Sequence, residues 1–382
     1  MFFLNHAINM KKSFFLFFCF FLLLFGCNSS INHYDFDTKT IRWNSNRAFE
    51  IKDIVSDIQY IILEETPESL FSGIYKLVIK NGRIYVLDIS PKSLFVFDVK
   101  GKFLHRVGRL GSGPGEYSNS MINFAVNEND EVFVYDYARR NMMKYDKNGK
   151  YINSKKSSFS FNDFLFLSDD QYLLSLDIYE KNNLNRKVML STNLSNKGNS
   201  FFYFNKDFMH DKLNMMIFQP FGDKIAYMRP VNDTLFIFDN TGSLKQAWYF
   251  DFGNRKMPED LKNNYEKAVK EMNKGNRSLY IKNTPLCVKN YIFTEIVIEG
   301  NPCISVYDTT KNILTHEILS PDKFSLNNIN QPLCVVNDSL LVSYLDPDTY
   351  FVVKESSNFS INPEIDAHLA NGGTIIILNT IK

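Results

Sequence analysis

The 382-residue chain carries 43 Lys and Arg against 42 Asp and Glu, a formal net charge of +1. That balance leaves no electrostatic footprint for nucleic acid. Its 35 Phe and 20 Tyr favour strands over helices, and its length allows one large core or two domains.

The first element is a leader. Lys11 and Lys12 precede an unbroken apolar run from Phe14 to Phe25. A spanning helix needs about 20 apolar residues, so the run reads as a secretion signal over residues 1–26, with Met10 as an alternative start. Leu24-Phe25-Gly26-Cys27 resembles a bacterial lipobox. The resemblance implies that Cys27 is acylated and becomes the first mature residue. An ordinary signal with an incidental cysteine is the alternative. Residues 27–40 are then the lipidated cysteine and a polar tether, and membrane lipid is the first expected partner. Removing residues 1–26 takes away two lysines and no acids, so the mature charge stays near zero. The expected location is the outer membrane. Asn28, Ser29 and Ser30 rather than acids follow the cysteine, which favours the periplasmic side and leaves the leaflet open.

From residue 41 onward the chain reads as one repeat array. Six stretches place a polar turn pair before an apolar strand: NGRIYVLD from Asn81, NDEVFVYD from Asn129, DDQYLLSLD from Asp169, GDKIAYM from Gly222, KNYIFTEIV from Lys289 and NDSLLVSYLD from Asn337. Asn, Asp and Gly suit tight hairpins because such turns need positive φ. The second turn residues are spaced 48, 40, 53, 67 and 48 residues apart. Units of 40–50 residues holding about four short strands belong to propeller blades. A second signal follows in FDVKGKF from Phe97, YDKNGKY from Tyr145, FDNTGSL from Phe238 and YDTTKN from Tyr307. The recurrent Asp98, Asp146, Asp239 and Asp308 read as turn caps through Asx hydrogen bonds rather than as a calcium ring. The fold predicted for residues 41–382 is an all-β six-bladed β-propeller, with seven blades or another all-β form as alternatives.

Two segments stand outside the regular unit. VGRLGSGPGEY, from Val107 to Tyr117, lacks the Lys of a phosphate loop, and its glycines miss the dinucleotide spacing. Gly108, Gly111, Gly113 and Gly115 suit unusual backbone, Pro114 fixes φ, and Arg109 can pair with Glu116. The loop reads as a stiff link between blades. The ligand-contact alternative rests on Arg106, Arg109, Glu116 and Tyr117, with a nest of backbone N–H groups for an anion. The long spacing between the fourth and fifth units holds PEDLKNNYEKAVKEMNK, Pro258 to Lys274. Its apolar Leu261, Tyr265, Val269 and Met272 predict an amphipathic helical insertion, packed on the propeller or offered to a partner. Ile51–Leu63 and Gly373–Ile381 flank the array, and one is expected to complete the blade that the other begins.

The blade VLDISPKSLFVFDVKGKFLHRVGRLGSGPGEY, the opening YIILEETPESLFSGIYKLVI and the strand start RPVNDTLFIF resemble the six-bladed propeller lipoproteins of Bacteroidetes, which are similar to NHL-repeat propellers. The resemblance implies an exported, anchored propeller and no settled reaction. It departs at Asn371-Gly372-Gly373, where that family often has Asn-Pro. No H-E-x-x-H or G-x-S-x-G occurs, the histidines are scattered, and Cys287, Cys303 and Cys334 fit no metal or redox spacing. No cofactor or metal is expected, and the three thiols read as buried apolar residues, with one disulfide left open. The expected role is a binding or scaffold module of the cell envelope, with a glycan, a peptide or an envelope protein as its partner. An enzyme of lyase or hydrolase type, with its site at one mouth of the channel, is the alternative.

Overall fold

In a computed structural model, the structure describes residues 36–43, 49–88, 93–119, 122–168, 170–177, 186–204, 216–262, 265–274, 278–298, 301–319, 332–356 and 361–382. The leader, Cys27 and most of the tether lie outside them.

Six antiparallel sheets follow one another in the chain, and each is a blade. Blade 1 is Ile74–Lys80, Arg83–Asp88, Leu94–Asp98 and Phe103–Val107, from the innermost strand to the outermost. Blade 2 is Ile122–Val126, Val132–Asp136, Asn141–Tyr145 and Tyr151–Lys156. Blade 3 is Phe161–Ser168, Gln171–Leu176, Arg186–Thr192 and Asn196–Tyr203. Blade 4 begins with Phe218–Phe221, Lys224–Tyr227, Thr234–Phe238 and Leu244–Asp251. Blade 5 has Leu286–Val288 innermost, then Tyr291–Ile298, Asn301–Asp308 and Ile313–Ile318, and Tyr280–Ile281 pairs with the far half of its second strand. Blade 6 takes Cys334–Asn337, Leu340–Leu345 and Ile375–Ile381 from the end of the chain and Val55–Ile62 from its beginning. The last pairing is antiparallel, from Val55 with Ile381 to Ile62 with Ile375. The ring therefore closes between the two segments whose apolar character called for a partner.

The turn pairs lie where the repeat required them, between the innermost and second strands. Asn81 and Gly82 have φ of 47° and 75°, Asp130 59°, Asp170 58°, Gly222 57° and Lys289 49°. Only residues tolerant of this region turn the chain so tightly. The second signal marks the turn between the third and outermost strands. Oδ1 of Asp98 accepts from Lys100 N at 2.8 Å and Lys102 N at 3.0 Å. Asp146, Asp239 and Asp308 do the same for their own turns.

Both faces of a blade are buried, so its strands are apolar on successive positions rather than on alternate ones. Tyr85, Val96, Phe124 and Tyr145 fill the space between blades 1 and 2, and Tyr135, Phe161, Phe164 and Leu174 that between blades 2 and 3. Phe95, Phe97, Ile84 and Ile376 join blade 6 to blade 1. Cys287, Cys303 and Cys334 are free and buried. Burial pushes all three thiols up, those of Cys303 and Cys334 to about 12, so they stay protonated and pack as small apolar groups.

Four elements differ from expectation. Asp37–Arg42 adds a fifth, parallel strand outside Leu244–Asp251, from Asp37 beside Gln246 to Arg42 beside Asp251, so the propeller domain begins four residues before 41 and takes in the end of the tether. Ile51–Ile54 is a 3-10 turn, and the strand starts at Val55. The insertion is broken into Glu259–Lys262 and Tyr265–Asn273. It packs on its own propeller, with Leu261 and Ala268 against Val231, Met257, Tyr280 and Val297; the side chains of Tyr265, Val269 and Met272 lie outside the described residues. Two unexpected helices, Pro347–Ser356 and Pro363–Ala370, separate the second and third strands of blade 6. Tyr350-Phe351-Val352-Val353 reads as a strand, but Asp346 takes the N–H of Thr349 at 2.8 Å and Pro347 opens the helix. The second helix is capped the same way: Asn362 Oδ1 accepts the N–H of Glu364 at 2.8 Å and Pro363 opens the helix.

Candidate functional site

Strand direction sorts the connections into two ends. The turns between first and second strands and between third and fourth strands share one end, and in blades 1 to 5 they span at most five residues. The links between second and third strands and between blades share the other. They include the Gly-rich loop, the split insertion and the two helices of blade 6.

At this long-loop end the innermost strands bring three polar side chains together. Lys76 of blade 1, Asn123 of blade 2 and Asp163 of blade 3 are all buried. Lys76 Nζ lies 2.9 Å from Asn123 Oδ1 and 3.1 Å from Asp163 Oδ1. Asn123 Nδ2 donates to Asp163 Oδ1 at 3.0 Å and to Asn162 O at 2.6 Å. Asp163 Oδ2 accepts the N–H of Phe218 at 2.9 Å, which brings in blade 4. Such a charge pair tolerates removal from water because hydrogen bonds meet its remaining atoms. A register shift between Phe161 and Asp163 sets the position of the carboxylate. The shift leaves Asn162 buried, and neither its amide nitrogen nor its amide oxygen has a hydrogen-bond partner.

A second buried cation lies nearby in the fold. Arg229 follows the second strand of blade 4, and its Nε donates to Tyr227 Oη at 3.0 Å. One terminal nitrogen reaches back to blade 3, to Leu176 O at 2.6 Å and Ser175 Oγ at 3.2 Å. The guanidinium sits 4.9 Å from the ring centre of Phe204. Farther along the RPVNDT stretch, Asp233 Oδ2 lies 2.6 Å from Lys262 Nζ and pins the helical insertion to blade 4.

The buried trio was legible in principle. Lys76, Asn123 and Asp163 interrupt the apolar YKLVI, NFAV and FNDFLF at spacings close to those of the turn pairs. The recurrent Asp88, Asp136 and Asp177 were equally visible at the ends of quoted strands. Asp88 Oδ1 accepts from Ser72 N at 3.1 Å, and Asp136 Oδ2 from Ser118 N at 2.7 Å. These carboxylates fix the links that enter blades 1 and 2.

The Gly-rich loop spends its polar groups on itself. Arg109 Nε donates to Glu116 Oε1 at 2.7 Å, and Gly113 N to Glu116 Oε2 at 2.8 Å. The Gly113 N–H, and after it the Arg109 guanidinium, hold the Glu116 carboxyl below the usual carboxylate range. Arg109–Leu110 pairs in parallel with Glu116–Tyr117. Arg139 ties the loop to blade 2 through Glu116 O at 2.8 Å and Gly111 O at 2.7 Å. A Cβ on Gly111 would stand 2.0 Å from Glu116 Oε2, and one on Gly115 2.7 Å from the Tyr151 side chain. Tyr117 is buried, which pushes its hydroxyl up to about 12. Arg106 bonds to Glu68 O at 2.6 Å and covers Phe95. The loop is thus a stiff link between blades, and none of its residues joins the Lys76 cluster. Among the described residues no group of three or more His, Cys, Asp and Glu is placed to hold a metal ion.

Residues 34–370 match the family described as a domain of unknown function, DUF4934. The chain belongs to that family. A solved structure from Bacteroides fragilis, described as that of an exported protein, is similar to it with a TM-score of 0.73 at 17% identity, over 90% of this chain and 100% of the other. A member of the DUF4221 family from Bacteroides vulgatus covers 86% of this chain and 97% of its own, with a TM-score of 0.46 at 11% identity. No curated protein matches the chain.

Proposed function

We propose that this protein is an exported, lipid-anchored propeller of the bacterial cell envelope that binds a glycan, a peptide or an envelope protein at the long-loop end of its channel. The observation that carries the reading is the division between the two ends. One carries only tight turns in blades 1 to 5, whereas the other combines links of unequal length with polar side chains converging from several blades. Rim loops on a rigid scaffold can change without loss of fold, and a concave mouth suits recognition. The leader, the lipobox-like LFGC and the family kinship support the envelope setting.

The anchor has its own test. Cys27→Ser should abolish fatty-acid labelling and detergent-phase partition and leave the propeller folded. Equal labelling of both proteins would refute acylation at Cys27. Ligand binding is tested on glycan and peptide arrays with Phe351→Ser/Val352→Ser, two exposed residues of the long-loop helices, against Asn148→Asp at a short turn. The helix pair should lower retention at least several-fold and the turn variant should not. Equal retention by all three proteins would place the ligand elsewhere.

One observation favours a second reading, a propeller enzyme. Lys76 and Asp163 place an amine and a carboxylate 3.1 Å apart among the polar side chains that converge at this end, the pair of groups that acid–base catalysis would use if a substrate reached them. Lyase and hydrolase assays of wild type and Lys76→Met decide it: turnover lost in the folded variant supports it, and no turnover in either protein counts against it.

A further inference from the structure

Asp37–Arg42 runs parallel to Leu244–Asp251, the outermost strand of blade 4. That strand runs from the short turn at Asp239–Ser243 toward the long-loop end. Asp37, beside Gln246, therefore lies at the short-turn end of the strand, and Arg42, beside Asp251, at the long-loop end. Trp43 and Phe49 both touch blade 5. Trp43 packs on Phe252 and His316, with ring centres 6.0 and 4.8 Å away, and Thr315 Oγ1 donates to Phe49 O at 2.8 Å. The position of Asp37 is thus fixed by a full ladder of backbone bonds and a belt behind it. Only the nine residues 28–36 separate Cys27 from this point, a reach of about 30 Å when fully extended.

The same end carries exposed lysines on the outer turns of blades 1 to 3, of which blade 3 adjoins blade 4. Lys100 and Lys102 of blade 1, Lys147 and Lys150 of blade 2 and Lys197 of blade 3 are exposed. Asp98 and Asp146 in those turns are drawn back onto backbone N–H groups. Acids gather on the inner turns instead, at Asp130, Asp170, Asp223 and Asp338. Lys245 and Lys311, exposed at the outer turns of blades 4 and 5, are paired with Asp239 and Asp308, so attraction for an anionic surface is strongest at the rim under blades 1 to 3.

We infer that the short-turn end, contacting through the lysine rim under blades 1 to 3, lies against an anionic lipid surface, so that the long-loop mouth opens away from the membrane. This orientation rests on acylation of Cys27. A tight-turned end can approach a bilayer closely, and a basic side chain near an anionic surface strengthens partition about fivefold.

The experiment uses the full acylated protein in phosphatidylglycerol-containing vesicles. The native cysteines of the described chain are buried, so a fluorophore can be directed to Asn148→Cys at a short turn or to Phe351→Cys at the long-loop end. Flotation reports anchoring, and a quencher confined to the bilayer reports proximity. The 148 label should be quenched about threefold or more relative to the 351 label, and Lys100→Glu/Lys102→Glu/Lys197→Glu should reduce that contrast in these vesicles but not in phosphatidylcholine ones. A protein that floats with equal or reversed quenching overturns the orientation and leaves the anchor standing. A protein that does not float overturns the anchor and the orientation with it. A contrast indifferent to the lysine changes overturns the role of the rim.

Discussion

The two ends of the propeller solve different problems. At the short-turn end the same local devices recur from blade to blade: Asn81-Gly82 reverses the chain and Asp98 closes its own turn, although Asn81 Nδ2 also reaches Glu128 O and Asp130 Oδ1 of blade 2. At the long-loop end residues act across blades: Lys76 meets Asp163 two blades away, Asp233 holds the insertion, and Arg139 holds a loop from the preceding blade. Local devices repeat because each blade needs the same one. Cross-blade devices such as the Lys76–Asp163 pair depend on which neighbour is present. A repeat protein can thus be regular at one end and individual at the other within the same strands.

The sharpest way to break this contrast is to unpair the cross-blade charge. Asp163→Ala should cost about 3–5 kcal/mol in urea unfolding, because Lys76 would stay buried without its carboxylate. Lys76→Met/Asp163→Leu should recover most of that loss; a double variant as unstable as the single would show that the pair is not the source. A turn position should cost less. A Cβ on Gly101, at φ +85°, would stand 1.9 Å from Ile62 O, and Gly101→Ala should cost about 2–3 kcal/mol. At the other end Gly372 has φ +99° and nothing within 4 Å of such a Cβ, so Gly372→Ala should cost only about 1 kcal/mol. Equal costs at 101 and 372 would mean that backbone conformation, not the neighbouring blade, sets the penalty.

The smallest effect is one of pH. Burial, and then the charge of Arg83, lower the His105 pKa from 6.5. The unfolded chain therefore takes up a proton at that ring before the folded one does. The stabilisation is complete above pH 6.5 and is lost as pH falls below it toward the folded-state value. His105→Gln should flatten that part of the stability profile between about pH 7 and 5, measured by denaturant midpoints. An unchanged profile would assign the dependence to other groups.

What the sequence disclosed follows the same division. Blade number, hairpin positions and Asx-capped turns were legible because φ > 0 and local side-chain caps select residue types at fixed offsets. The closing pair Val55–Ile62 and Ile375–Ile381 was legible because two apolar segments at the chain ends needed each other. The helix Pro347–Ser356 was not, since its Tyr-Phe-Val-Val centre favours a strand and its capping prevails only in context. Asp37–Arg42 escaped because DTKTIR is half polar and pairs through backbone alone. The Lys76 cluster left a trace, a polar residue in each of three apolar strands, but its meaning depends on register between blades. The Gly-rich loop, the most conspicuous motif, joins blades 1 and 2 and bonds mainly to itself and to Arg139.

The pairing of Val55 with Ile381 also sets a timetable. A ribosome makes the outermost strand of blade 6 before any other part of that blade, and its partner only after blades 1 to 5. Through that interval the early strand must wait with its edge unpaired. Contacts so distant along the chain form slowly, and blades 1 to 5 can assemble before the circle is joined. Loss of Ile375–Ile381 would leave two open edges rather than one, and the resulting chain should stick to its own copies before it could be called folded.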